Sequence, residues 1–428
     1  MERCVFLEEV PEGSVVMRHV VSKDGSVLVD PGTVLTAAHI ARLKQWEVIT
    51  LYIQSDEGAA TTEEFGIEMG ALPPEEVVEW ETLAAEAGLL LPTEEEKGRI
   101  EEEIERRAAA PPRAARLAPP PETFVYRPDD LRRARAEVER AHLETSRRLS
   151  GVVRSVVRRD GVNVGEVTRI AERLVELALR NRHMLAGVAM IRTYADPVLS
   201  HAVKSSLFSL LLGHALGMNR DELLDLAECA LLHDVGMSGV SPRTWRKAGP
   251  LTRPERLEVE RHVLLGADLL QRSEGFSPRA SVVAYQHHER WDGSGYPKER
   301  RGATPHENSR IVGLADAWSA MTSPRSWRPA RSGYDAMREI VAGAGARFEP
   351  ALVQLLLQAL SLFPIGSGVR LSDGRRGVVV GSVAHAPYRP VVRITGEEAP
   401  LDLSREPHLG IAAAEVATQE ELDAAFTF

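Results

Sequence analysis

The sequence contains little cysteine, few aromatic residues and no long apolar run. Only two cysteines occur among the 428 residues, Cys4 and Cys229, and they form no C-x-x-C pair. Their scarcity argues against a disulfide framework and against a thiolate zinc site, and it fits a reducing compartment. The longest apolar stretches, such as LFSLLLGHALGM, are too short and too interrupted to cross a bilayer. We therefore expect no membrane segment.

The sequence also lacks a net positive charge. The formal net charge is −10, from 52 lysines and arginines against 62 acids, so the chain lacks the positive footprint of a protein that binds nucleic-acid polymers. The first residues, MERCVFLEEV, have neither the basic region nor the apolar run of a signal peptide. These features predict a cytoplasmic protein that binds neither membranes nor nucleic-acid polymers.

The hydrophobic pattern predicts a mainly α-helical protein with a small β-rich unit near each end. Short β-branched runs separated by KDG and DPG predict a β-rich domain at 1–54. Residues 55–128 are acidic and then proline-rich, which predicts a linker with some helix. Helical periodicity dominates 129–364 and predicts one bundle. Residues 365–412 return to short strands, which predict a small β-barrel, and 413–428 form a tail.

The first helix predicted for the bundle, at 129–158, is long and amphipathic. Such a helix packs within its own chain or pairs with a second copy. We expect packing within the chain, with a homodimer as the alternative.

Five of the thirteen histidines lie in segments otherwise suited to burial, together with two aspartates. The set comprises His201, His233, Asp234, His262, His287, His288 and Asp316. A buried carboxylate is costly unless a cation or hydrogen bonds compensate it. Each residue alone has an ordinary explanation, such as a helix cap or a buried hydrogen bond. Together they suit two first-row transition metals bridged by a carboxylate.

The ordered motifs around these residues resemble those of the HD-GYP family, a branch of the HD-domain phosphohydrolases. The motifs are SHAVKSS, ALLHDVGMSG, ERHVLLGADLL, YQHHERWDGSGYP and RIVGLADAWSAM. The resemblance implies a helical HD-type bundle that holds two or three metal ions, usually iron or manganese. It also implies hydrolysis of cyclic di-GMP to the linear dinucleotide or to GMP, in bacterial second-messenger signalling.

The resemblance assigns roles to residues by position. All seven residues of the set become metal ligands, with Asp234 bridging the two ions that activate the attacking water. Tyr296, Arg325 and Arg328 would face the dinucleotide, and Arg325 would also neutralise charge on the phosphate.

Four positions depart from the family pattern. Met237 replaces the lysine of the HD-x-G-K motif, and Pro197, Ser319 and Pro324 stand where acids are common. Two alternatives to hydrolysis of cyclic di-GMP follow from these departures and from the generality of the HD core. One is a weak or inactive module that senses a cyclic dinucleotide or serves as a protein scaffold. The other is a hydrolase of a different cyclic dinucleotide or nucleotide.

Overall fold

The computed structural model forms two compact units, Met1–Gly70 and Ala71–Phe428, which are described separately. The structure describes residues 2–6, 10–17, 20–21, 27–45, 50–54, 92–108, 124–125, 128–158, 164–180, 197–323, 330–383, 386, 388–397 and 399–426. The predicted fold class, mainly α with small β-rich accessory parts, is confirmed.

The first unit combines short strands with one helix. Strand β1 (Glu2–Phe6) pairs antiparallel with β4 (Thr50–Gln54), and β2 (Val20–Val21) pairs with β3 (Val27–Val29). Helix α1 (Ala37–Gln45) lies between β3 and β4 in the chain. Apolar side chains from the turns, strands and helix form a small core, which comprises Val10, Val16, Val20, Leu35 and Leu43.

The second unit is built from helices followed by a sheet. Its helices are α2 (Glu94–Ala108), α3 (Pro128–Arg158), α4 (Val164–Arg180), α5 (Pro197–Ala215), α6 (Arg220–Leu232), α7 (Pro242–Trp245), α8 (Arg253–Glu260), α9 (His262–Arg272), α10 (Pro278–Gln286), α11 (Glu307–Thr322), α12 (Gly333–Ala342), α13 (Pro350–Leu360) and α14 (Gln419–Phe426). A 3₁₀ turn, Val235–Gly239, follows α6.

Local capping signals explain where several of these helices begin. Asn219 and Glu222 form a reciprocal capping box at the start of α6, and Thr252 and Glu255 do the same for α8. The segment 253–272 is divided at Arg261 into α8 and α9. The division places His262 at the first position of a new helix.

Helix α5 lies at the centre of the bundle. It is apolar on most sides, and it contacts α3, α4, α6, α11 and α13. A helix without a polar face has to be buried. Two of its serines satisfy their hydroxyls locally, since Ser206 and Ser209 donate to backbone carbonyls one turn earlier at 2.8 Å. Thus α5 is a rigid buried support for His201 near its start.

The long helix α3 packs within its own chain against α4 and α5, as expected. The apolar stripe of α4 is buried too, through Val167, Ile170, Ala171, Leu174, Val175 and Leu177. The described helices contain none long and apolar enough to cross a membrane.

The C-terminal part is an antiparallel sheet made of β6 (Ser367–Leu371), β7 (Arg376–Ser382), β8 (Val391–Ile394), β9 (Leu401–Asp402) and β10 (Ile411–Val416). The strand order is β10-β6-β7-β8-β9, so among the described residues the sheet is open and does not close into the predicted barrel. A further strand, β5 (Phe124–Val125), comes from the predicted linker and pairs with β7. Helix α14, in the predicted tail, packs against β7 and α3.

Candidate metal centre

The structure brings the seven predicted ligand residues together where α5, α6, α9, α10 and α11 meet. They form two groups, within each of which the potential ligand atoms lie within 4.8 Å of one another. The first group is Asp234, His262, His287 and His288, and the second is His201, His233 and Asp316. We call all seven residues the histidine cluster.

Two imidazoles of the first group, those of His262 and His287, are anchored through Nδ1. Nδ1 of His262 lies 2.5 Å from the carbonyl oxygen of Val259, and Nδ1 of His287 lies 3.1 Å from those of Val283 and Ala284. A carbonyl oxygen only accepts hydrogen bonds, so each Nδ1 carries the proton. The lone pair of each neutral ring is therefore on Nε2, which is the arrangement that metal-binding histidines use.

The Nε2 atoms of this group converge on one carboxylate oxygen. Nε2 of His262 and Nε2 of His287 are 3.4 Å apart, and they lie 3.3 and 3.5 Å from Oδ1 of Asp234. Two facing lone pairs beside a carboxylate need a positive charge between them. A divalent cation supplies such a charge, so the donor set fits a transition metal.

The ligand atoms of the second group are likewise arranged to suit a cation. Nδ1 of His233 hydrogen-bonds the carbonyl oxygen of Ala230 at 2.7 Å, which directs Nε2 into the cluster. Among the described residues this buried Nε2 has no hydrogen-bond partner, although Oδ2 of Asp234 lies 3.5 Å away. Nε2 of His201 is 2.6 Å from Oδ1 of Asp316. Asp234 therefore presents one oxygen to each group, as a bridging ligand would.

The electrostatics leave the carboxylates charged and two of the rings neutral. Burial raises the pKa of Asp234, but the neighbouring imidazoles, first that of His233, bring it well below its ordinary value. Burial likewise raises the pKa of Asp316, but the hydrogen bond and charge of His201, together with the charges of His288 and His233, bring it below its ordinary value. Burial lowers the pKa of His287 and that of His288. These are the protonation states that metal binding requires.

His262 is the exception. Burial lowers its pKa, but the hydrogen bond and the charge of Asp234 raise it by more, so the net shift is upward. A carboxylate that faces an imidazole stabilises its protonated form, which is why the shift at this position is upward.

Two glycines allow the backbone to approach the cluster closely. A Cβ atom on Gly236 would lie 2.0 Å from the carbonyl oxygen of His262, so only glycine lets the 3₁₀ turn pack on α9. A Cβ atom on Gly295 would lie 2.4 Å from the carbonyl oxygen of His288. This close approach folds the segment after His288 back over the cluster.

That segment, residues 289–300, is called the tyrosine turn here. The ring of Tyr296 stacks on the ring of His288, with centroids 4.8 Å apart and planes inclined by 26°. The backbone N–H of Tyr296 donates to the carbonyl oxygen of His288 at 3.3 Å. The structure thus places Tyr296 at the edge of the histidine cluster.

Glu289 holds the tyrosine turn, and the sequence reasoning assigned it no role. Its side chain is fully buried and accepts from the backbone N–H groups of Lys298 and Arg300, at 2.8 and 2.9 Å. Burial raises the pKa of Glu289. The sequence signal was an acid directly after two histidines, in a turn whose N–H groups need acceptors.

Lys204, one turn after His201, is a second residue that the sequence reasoning missed. It is 1% exposed, and its Nζ donates to the Ser323 hydroxyl at 3.2 Å and to the Thr322 carbonyl at 3.3 Å. A cation at the last carbonyls of α11 interacts favourably with the helix dipole. Lys204 therefore secures the end of the helix that carries Asp316.

The other predicted positions have mixed outcomes. Arg325, Arg328 and Pro324 lie outside the described residues. Met237 is half-buried in the 3₁₀ turn that follows Asp234. Ser319 is buried on α11, and its hydroxyl has no hydrogen-bond partner among the described residues.

A cavity of about 140 Å³ lies beside the cluster, lined in part by His288, Asp316, Arg290 and Trp291. A volume of this size has room for water molecules. The arrangement can therefore present water next to two potential cation sites.

Comparison with known proteins agrees with this geometry. A family model described as HD domain matches residues 186–352. A cyclic di-GMP phosphodiesterase of Pseudomonas aeruginosa is 27% identical over 60% of this chain and 63% of its own length. A cyclic di-GMP phosphodiesterase response regulator of Xanthomonas campestris pv. campestris is 31% identical over 44% of this chain and 51% of its own.

Another relative is named for a different substrate. A 3′3′-cGAMP-specific phosphodiesterase of Vibrio cholerae is 29% identical over 46% of this chain and 38% of its own length. The chain thus spans less than two thirds of these curated relatives. A solved HDG"Y"P protein of Bdellovibrio bacteriovorus aligns with 83% of this chain and 98% of its own, at 15% identity and a TM-score of 0.43.

Proposed function

Since the chain belongs to the HD-GYP family of HD-domain proteins, we propose that its helical part is a metal-dependent phosphodiesterase that opens cyclic di-GMP. The product is the linear dinucleotide, or GMP after a second cleavage. The observation that carries the proposal is the histidine cluster, in which buried Nε2 atoms and carboxylates converge in two groups with Asp234 between them.

The proposal gives each part of the cluster a task. One group would hold an ion through Asp234, His262, His287 and His288, and the other through His201, His233 and Asp316. Two divalent ions, iron or manganese by the family resemblance, supply Lewis acidity and a water that deprotonates near neutral pH. The carbonyl groups behind His233, His262 and His287 keep these rings directed inward, which raises their basicity as ligands.

The residues proposed to contact the substrate are Tyr296, Arg325 and Arg328; we call them the substrate side of the site. Tyr296, held on His288 by stacking, would contact the dinucleotide. Arg325 and Arg328 would meet its phosphates, because a guanidinium binds phosphate through two parallel hydrogen bonds. Arg325 would also oppose the charge that develops on phosphorus in the transition state.

A direct test uses full-length protein loaded with manganese or iron and shown by elemental analysis to contain it. The protein is incubated with cyclic di-GMP, 3′3′-cGAMP and a cyclic mononucleotide, and the products are separated by chromatography. Linear product from cyclic di-GMP supports the proposal. No product from any of the three, after overnight reaction of metal-bearing protein, refutes it, whereas product from 3′3′-cGAMP alone would change the substrate.

A second candidate function is favoured by Met237 and Ser319. Met237 has no ammonium group that could contact the substrate phosphate. The buried Ser319 hydroxyl has no hydrogen-bond partner among the described residues. A module of this kind would bind a cyclic dinucleotide without turning it over quickly. Losing one transition-state contact of this type costs about 10²–10³ in rate.

The variant Met237→Lys separates the two functions. In a slow enzyme we expect the substitution to raise kcat by about 10- to 1000-fold and to change binding less. Met237→Leu is the matched control, because it keeps the apolar volume and adds no charge. Tight binding of cyclic di-GMP by calorimetry, with no turnover by the natural protein, would favour the sensor.

A further inference from the structure

Helix α2, which comes from the predicted linker, is docked on the back of the metal centre. Its Ile100 and Ile104 are 4% and 0% exposed and pack with Ala267 of α9 and with Val282 and Tyr285 of α10. These are the two helices that carry His262 and lead directly into His287. The apolar contact fixes α2 against the scaffold of the first ligand group.

Polar contacts extend this docking to the tyrosine turn. The hydroxyl of Tyr285 donates to Oε1 of Glu101 at 2.7 Å, and Nζ of Lys298 donates to Oε2 of the same carboxylate at 2.6 Å. One turn further along, Glu105 pairs with the guanidinium of Arg300, whose Nη1 lies 3.2 Å from Oε2. Two acids of α2 therefore hold two cations of the turn.

The same two residues of the turn are held from the other side. The backbone N–H groups of Lys298 and Arg300 donate to Glu289, the neighbour of His288. A continuous path thus runs from α2 through residues 298–300 to Glu289 and the stacked pair of His288 and Tyr296. The links are hydrogen bonds, the peptide bond between His288 and Glu289, and the ring contact.

We propose that α2 is a positioning helix for the substrate side of the site, with Glu101 and Glu105 as positioning residues that fix Tyr296 through Lys298 and Arg300. Its docking then controls how well the turn receives the dinucleotide, while the ion-binding groups stay intact. The effect on catalysis rests on the proposed function; the effect on the order of the turn does not.

An alternative is that these are ordinary surface ion pairs, which usually contribute only about 0–1 kcal/mol to stability. The geometry favours a positioning role, because the pairs converge on one short segment and are anchored by buried isoleucines. Glu101 also meets two donors at once, and its carboxyl is only partly exposed.

The test compares Glu101→Gln with Glu102→Gln in the full-length, metal-loaded protein. Both substitutions remove one charge from the same helix, but Glu102 is exposed and takes no part in the turn contacts described above. We expect Glu101→Gln to raise KM for cyclic di-GMP by about three- to tenfold and to leave kcat within about twofold. Glu102→Gln should change neither.

Hydrogen exchange provides a readout that needs no activity. The amides of Lys298 and Arg300 should exchange about tenfold faster in Glu101→Gln than in Glu102→Gln, with an unchanged metal content. Adding Lys298→Gln to Glu101→Gln should have no further effect, because both remove the same link.

Equal exchange and equal KM in Glu101→Gln and Glu102→Gln would overturn the inference. Additive effects of Glu101→Gln and Lys298→Gln would overturn it as well. If the natural protein does not hydrolyse cyclic di-GMP, the proposed function fails, and the exchange rates alone decide the role of α2.

Discussion

The histidine cluster and the docked face of α2 are neighbouring polar regions that satisfy their charges in opposite ways. In the cluster, buried rings present Nε2 atoms to one another and to Asp234 at 3.3–3.5 Å. On α2, each acid facing the turn meets a cation of the same chain. The contrast indicates that the cluster is arranged to hold cations, whereas the acids of α2 that face the turn are paired within the chain.

The strongest way to break this comparison is to remove the carboxylate shared by both ligand groups. Asp234→Asn should lower phosphodiester hydrolysis by at least about 10³-fold and reduce the bound metal, since the amide cannot bridge two cations. Elemental analysis and product chromatography measure both effects. Asp221→Asn, an exposed acid at the start of α6, is the control and should behave like the natural protein. Full metal content and activity in Asp234→Asn would contradict the two-group assignment.

Removal of the metal should have the next largest effect. Binding to the folded state alone stabilises it by about 3–4 kcal/mol at 100–1000 times Kd. Chelation should therefore lower the melting temperature of the helical unit by roughly 5–10 °C. Scanning calorimetry with and without chelator measures the shift, and back-titration with manganese should restore it. A melting temperature that does not respond to either treatment would mean that the cluster is satisfied by its own protons.

His306 sharpens the comparison, because it is a half-buried imidazole whose hydrogen-bond partner lies within the chain. It caps α11 by accepting from the backbone N–H of Asn308 at 3.1 Å. Burial, with help from Arg279 and Arg310, lowers its pKa to about 4. The unfolded state therefore takes up a proton first as the pH falls below about 6.5, and the stability from the neutral ring is lost as the pH falls towards 4.

His306→Asn should keep the cap and remove this pH dependence. We expect little change at pH 7.5 and a relative gain on the order of 1–2 kcal/mol at pH 5. Urea unfolding at the two pH values measures the difference. If the free energy of unfolding falls equally in the variant and in the natural protein between pH 7.5 and 5, His306 does not contribute to the pH dependence of stability.

The smallest effect is expected at Glu103 of α2. Glu103 pairs with Arg106 and Arg107 of its own helix, at 2.5 Å in each case. Glu103→Gln should change the free energy of unfolding by less than about 1 kcal/mol, because such pairs are screened by water and salt. Urea unfolding at low and high salt checks this value. A loss of several kcal/mol would show that the α2 face is not as self-contained as its contacts indicate.

Much of the fold and of the cluster could be predicted from the sequence. Helical periodicity predicted the bundle, and the motif order predicted which imidazoles and carboxylates the structure brings together. The open C-terminal sheet differs from the predicted barrel, and β5 joins it from the predicted linker. Pairing between residues as far apart as Phe124 and Ser382 depends on long-range packing, which local patterns do not encode.

Glu289 and Lys204 were missed for a related reason. Each is a charged residue that usually lies on the surface, and only the assembled bundle shows that each is buried against particular backbone groups. The docking of α2 was also not foreseeable, since an acidic stretch before a proline-rich one normally indicates a solvated connector.

The sequence by itself determined which chemical groups this protein can bring to a metal centre and which helices carry them. The reason is that the spacing of apolar residues along the chain sets which face of each helix is buried. The tertiary structure alone decided that Asp234 faces both groups, that carbonyl groups direct the rings inward, and that α2 holds the tyrosine turn. These features depend on distances of a few ångströms between segments far apart in the chain. Such distances are set by how the helices pack together, and no local pattern specifies them.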